Sequence, residues 1–100
     1  MKSIYKYELT HEVSEVNKFA VPGMGVILHV GTDPRNVPCM WIAVDTEKPD
    51  VNIEVLMIGT GWSLDFMEED PRDWYFVGTI KEGIYMWHIF FADALDRSDE

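Results

Sequence analysis

The chain has 100 residues, 47% hydrophobic and 26% charged, which is the composition of one folded domain and excludes a disordered or low-complexity chain. Eighteen acidic residues against eight basic ones give a formal net charge of -10, and the lysines and arginines stand singly, which excludes a phosphate-tracking nucleic-acid surface. Cys39 is the only cysteine, so an intramolecular disulfide and a cysteine-rich zinc site are excluded as well, and no apolar run is long enough for a membrane helix; the expectation is a soluble, cytoplasmic protein.

Short runs rich in Val, Ile, Tyr, Phe and Trp recur between Gly, Pro, Asp and Asn, and they predict seven strands. Ser3 to Leu9 alternates, with Tyr5, Tyr7 and Leu9 on one face and Lys6 and Glu8 on the other. Glu15 to Val21 is a weaker strand ending at the turn dipeptide Pro22-Gly23, and Val26 to Val30 follows. Val37 to Val44 is apolar on both faces, which predicts a central strand buried on both sides. Asp45 to Asp50 reads as a polar, hairpin-type connection into Val51 to Ile58, where Val51, Ile53, Val55 and Met57 share a face. After Gly59-Thr60-Gly61 comes the longest irregular stretch, with room for a helical turn at Leu64 to Glu69. Trp74 to Ile80 and Ile84 to Phe91 are expected to pair as a hairpin through Lys81-Glu82-Gly83.

Seven short strands without a long helical period predict an all-β fold, a small antiparallel β-sandwich or barrel. Periodicity does not separate the two, because both alternate inward and outward side chains. The expected organisation is a single domain over residues 1–92, followed by an acidic C-terminal tail over 93–100.

The residues that carry chemistry form no catalytic set in the sequence. His11, His29 and His88 lie far apart and outside metal-ligand spacings, so no metal and no cofactor is expected. His29 and His88 read as buried or half-buried strand residues, with His88 bonded to a carbonyl. Cys39, between Pro38 and Met40, reads as an inert buried thiol. Gly59-Thr60-Gly61 lacks the lysine and spacing of a phosphate loop and reads first as a tight turn. Two concentrations of acid stand out: Asp65, Glu68, Glu69, Asp70 and Asp73 around Arg72, and four acids from Asp93 to Glu100 around Arg97. Trp62 follows the glycine turn outside the strands and is the tryptophan expected to be partly exposed.

Several segments together resemble an uncharacterised family of small phage and prophage proteins, a domain of unknown function. They are Ile4-Tyr5-Lys6-Tyr7-Glu8-Leu9, Val21-Pro22, Ile27-Leu28-His29-Val30, the run from Val37 to Asp45, Gly59-Thr60-Gly61, Phe76-Val77-Gly78-Thr79 and His88-Ile89-Phe90. In that family's pattern a histidine commonly follows the G-T-G, whereas here the position is Trp62, and the stretch Asp65 to Asp73 is long. The resemblance implies a phage origin and an all-β fold, and supplies no activity, ligand or catalytic residue.

The functional expectation is a non-enzymatic phage accessory protein that binds a protein partner with a basic surface, a host or defence component, and that self-associates. An acidic mimic of nucleic acid is its sharper form. The expected surface is Trp62 with Asp65, Glu68, Glu69 and Asp70. The alternative is a small-ligand or nucleotide-binding protein using Tyr7, Gly59, Thr60, Gly61 and His88.

Overall fold

A computed structural model describes residues 1–10 and 16–95. His11, the predicted strand start at Glu15 and the tail from Asp96 lie outside the described residues. Among the described residues, seven strands and one short helix follow in order: β1 (Lys2–Glu8), β2 (Asn17–Pro22), β3 (Ile27–Thr32), β4 (Pro38–Asp45), β5 (Asp50–Gly59), α1 (Asp65–Glu69), β6 (Tyr75–Glu82) and β7 (Tyr85–Asp93). They form two antiparallel sheets, ordered β1-β4-β3 and β2-β5-β7-β6. The molecule is 18 Å thick in its shortest dimension, the depth of two packed layers, so it is a sandwich. No helix among the described residues is long and apolar enough to cross a membrane.

Alternation places the core. Met40, Ile42 and Val44 from β4 face Ile53, Val55 and Met57 from β5, with Ile80, Trp87 and Ile89 completing the interior. Each fully buried aliphatic side chain there contributes roughly 1.5–3 kcal/mol of transfer free energy. Strand β4 is central, as its apolar run predicts, but only one of its faces is fully covered: Trp41 and Ala43 are half-buried on the outer side.

Three further expectations are corrected. The Asp45–Asp50 connection is no hairpin, because β1 and β3 already occupy both edges of β4; the chain must cross to the other sheet, where β5 pairs with β2 and β7. The β6–β7 hairpin turns through two residues, Gly83-Ile84, since Lys81 and Glu82 still pair with Met86 and Tyr85. Gly83 adopts φ 59 at the first turn position, as type II′ turns require. His29 is exposed, because a register shift between Ile27 and His29 resets the alternation: Ile27 and Val30 both face inward and His29 is turned out over Trp41, 5.5 Å away.

On the outer face of β4, Cys39 is fully buried beneath a charged cluster. The Asp33 carboxylate there accepts hydrogen bonds from the Val37 and Arg35 amides and from Lys6 Nζ at 2.9–3.0 Å. The Val37 amide is the chief cause of a carboxyl pKa lowered to about 2, with Lys6 and the Arg35 amide adding to it. Burial, and then the Asp33 charge, push the Cys39 thiol up, so it stays protonated and unreactive.

Candidate functional site

The 60–74 connection carries most of the residues singled out from the sequence, and its two ends are held differently. At its start, Gly61 takes φ 92 and the Trp62 amide donates to the Gly59 carbonyl at 3.1 Å, the backbone form of a tight turn. That turn folds the Trp62 indole back over Gly59, where an added Cβ would come within 3.0 Å of the ring. Glycine at 59 therefore makes room for the indole. The ring also meets Trp87 edge-on, with centroids 5.4 Å apart at 81°, yet remains 47% exposed.

Trp87 is the floor of this end of the sandwich. Its indole Nε1 donates to Glu82 Oε1 at 3.0 Å, and its ring stacks with Tyr85 at 5.9 Å and 28°. The stagger of the hairpin explains the grouping: Tyr85 and Trp87 are two apart on β7 and share a face, and Glu82 lies directly opposite Tyr85. A cleft of about 560 Å³ opens between Trp62, Tyr85, Trp87 and Glu82, with Ile84 and Asn36 at its rim. A second depression, of about 360 Å³, shares Trp62, Ile84, Tyr85 and Trp87. Tyr85, Trp87 and Glu82 are site residues that the sequence reading passed over. Their signal was present in the Tyr85-x-Trp87 alternation directly after a glycine turn.

Helix α1 buries no residue, and Asp65, Glu68 and Glu69 are exposed on it, with no cation paired to them among the described residues. Asp70 is placed differently. It receives Arg72 in a two-point contact, Nε to Oδ1 at 3.0 Å and Nη2 to Oδ2 at 2.8 Å, and this contact is the main cause of a pKa lowered to about 2. The same guanidinium lies 3.2 Å from the nearly buried Glu54, donates to the Asp93 carbonyl at 2.9 Å and sits 4.8 Å over the Trp74 ring. Asp70 is thus part of a clasp on the sheet.

The alternative ligand set is only partly assembled. His88 is half-buried on β7, with Nε2 hydrogen-bonded to Thr60 Oγ1 at 2.8 Å and Nδ1 to Thr79 Oγ1 at 3.0 Å, in place of the expected carbonyl partner. Gly59, Thr60, Gly61 and His88 line one small depression with Leu64 and Phe90. Tyr7 does not join them; it packs on Phe19 at 5.1 Å, where β1 of one sheet meets β2 of the other, and burial there raises its pKa.

The model of a domain of unknown function, DUF7352, matches residues 1–98. The chain belongs to the DUF7352 family. No curated protein matches it, and no solved structure does. For a DUF7352 domain, then, the chemistry of the site has to be read from its own side chains: a braced but open tryptophan, an aromatic cleft holding a carboxylate, and an exposed acidic helix.

Proposed function

We propose that the protein is a non-enzymatic binding module whose Trp62 end and α1 acids engage a protein partner with a basic surface. The observation that carries this reading is the state of Trp62. Its indole is fixed from below by Gly59 and Trp87 and open above, so little side-chain freedom is lost when a partner covers it. Three exposed carboxylates follow within seven residues and favour encounter with positive charge. In the phage setting that the sequence resemblance implies, the partner is a host or defence component.

Two observations favour binding over catalysis. The Cys39 thiol is buried and held protonated, and both ring nitrogens of His88 are engaged by threonine hydroxyls. The nucleotide reading gains less support, because the Thr60 and Trp62 amides of the glycine turn donate to Met86 and Gly59 carbonyls rather than outward. The test is comparative capture: immobilised wild type, Trp62→Ala, and a Glu68→Gln/Glu69→Gln variant are exposed to the same host lysate. The reading expects one basic protein retained by wild type, released by salt and depleted on both variants. Equal retention on all three would refute it.

A further inference from the structure

We propose that the outer face of the β1-β4-β3 sheet is a self-association surface, covered by a second copy of this chain in a two-fold dimer. The two sheets differ in what lies on their outer faces. On β5 the outward Leu56 and Ile58 are buried beneath the 60–74 connection, with Leu64 beside Ile58 and Arg72 on Glu54. On the three-stranded sheet the outward rows are open. Strand pairing sets Ile4 opposite Ala43, whose amide donates to the Val26 carbonyl at 2.9 Å on its other side, and the next row is Lys6, Trp41 and His29. Ile4 and Val26 are 59% and 67% exposed, and Leu28, at the bulge, is 50% exposed. With Trp41 half-buried at the centre, these side chains make an apolar stripe across all three strands.

Charge decides the occupant. Residues 1–10 and 26–49, which build this sheet and its turns, hold Lys2, Lys6, Arg35 and Lys48 against Glu8, Asp33, Asp45 and Glu47, so their formal charges cancel. The whole net charge of -10 therefore sits on the rest of the chain. A basic partner gains nothing at a neutral face, whereas a second acidic copy is repelled least there. Two copies meeting on this face keep their α1 acids on the far side of an 18 Å sandwich, beyond the screening length of about 8 Å at physiological ionic strength. At one end of the stripe the charges are already paired, Lys6 Nζ with Asp33 at 3.0 Å and Arg35 with Glu8. An apolar centre beside a rim of both signs is its own complement, as a two-fold contact requires. The broad side of the molecule, 40 by 39 Å, has room for the roughly 800 Å² per partner that a stable interface buries.

The experiment is analytical ultracentrifugation of the intact protein over a concentration series, beside NMR of the indole N–H resonances. The mass is expected to rise from 11.6 kDa toward twice that value by high-micromolar concentration, with the Trp41 indole shifting along the series and the Trp62 indole unmoved. Added salt should tighten the dimer, because it screens the repulsion between two acidic chains. Ile4→Glu and Leu28→Lys each set a charge into the apolar stripe at an exposed position, and each should raise the dissociation constant on the order of 100-fold. Ile84→Glu, at the 91% exposed hairpin tip, should leave it unchanged. Circular dichroism shows which variants are folded, and either stripe variant alone suffices for the comparison. A wild-type mass of 11.6 kDa at every concentration overturns the proposal and leaves the face to another occupant. A dimer that survives both stripe variants, or that shifts Trp62 in place of Trp41, overturns it as well.

Discussion

The two ends of the 60–74 connection differ in what holds them. At the Arg72 end, one guanidinium gathers Asp70, Glu54, the Asp93 carbonyl and the Trp74 ring, and the segment is bolted to the outer face of β5 and β7 by charge. At the Trp62 end, the contacts are a ring over a glycine and a ring edge against a ring, and nearly half of the side chain still meets water. The difference teaches that acidic density by itself does not mark a binding surface. Asp70 lies one residue from Glu69, yet it is an internal acceptor, while Glu69 faces solvent. Stability resides at one end of the connection and the open surface at the other.

The strongest way to break this contrast is Arg72→Ala. Glu54 is 5% exposed on a strand buried on both faces, so removing its cation leaves a carboxylate without its charge partner in a largely apolar setting. Truncating one member of such a pair costs about 3–5 kcal/mol, which urea unfolding followed by tryptophan fluorescence would read as a large fall in midpoint. Replacing both partners, Glu54→Leu with Arg72→Met, is expected to recover much of the loss, because the desolvated charge is then gone. An unfolding free energy within a few tenths of a kcal/mol of wild type for Arg72→Ala would show that the clasp carries no stability.

Much of this architecture was legible from the sequence, and the parts that were not share a cause. Period-2 alternation and turn residues located all seven strands and the α1 turn, because these signals are local. Partner choice is not local: nothing in Thr46-Glu47-Lys48-Pro49 says that both edges of β4 are already filled, so a cross-sheet passage looks like a hairpin. The bulge beside Leu28 is equally silent, and it alone turns His29 outward. At the site, Trp62 was visible as an aromatic outside the strands, whereas its neighbours Tyr85, Trp87 and Glu82 come from a hairpin twenty or more residues away in sequence. The separate fates of Asp70 and Glu69 depend on where Arg72 reaches, which only the folded chain decides.

Acid sharpens the comparison by a smaller amount. Asp70 in the clasp and Asp33 in the cluster over Cys39 both have folded pKa values lowered to about 2 from an ordinary 3.8. A carboxyl depressed on folding adds stability that is fully present above its unfolded pKa and is lost as the pH falls through its folded one, so both contributions fade between about pH 4 and about pH 2. Urea midpoints measured across that window should fall steadily for wild type. Asp70→Asn and Asp33→Asn should each start lower and fall less steeply, and the double variant should combine both changes, since the two carboxylates share no hydrogen-bond partner. A wild-type slope that survives in the double variant would place the acid sensitivity elsewhere.

Trp62→Ala is expected to have the smallest effect on folding and a decisive one on recognition. The ring is 47% exposed, so its removal forfeits part of a hydrophobic contact and one edge-on pair, together about 1 kcal/mol, and leaves the buried Trp87 under the Tyr85 stack. The turn beneath it does not need the indole, because Gly61 sets the positive φ and the residue at 62 keeps its amide bond to Gly59 whatever its side chain. Circular dichroism and the urea midpoint should therefore stay close to wild type. Binding should change in a specific way: the rate of association and its salt dependence are set by charge that the variant retains, while dissociation quickens because the desolvated anchor is gone. Surface plasmon resonance on the captured partner separates the two rates. A fall in the association rate with an unchanged dissociation rate would mean that Trp62 shapes the approach rather than the bound state, and the anchor would then have to lie among the exposed side chains of α1.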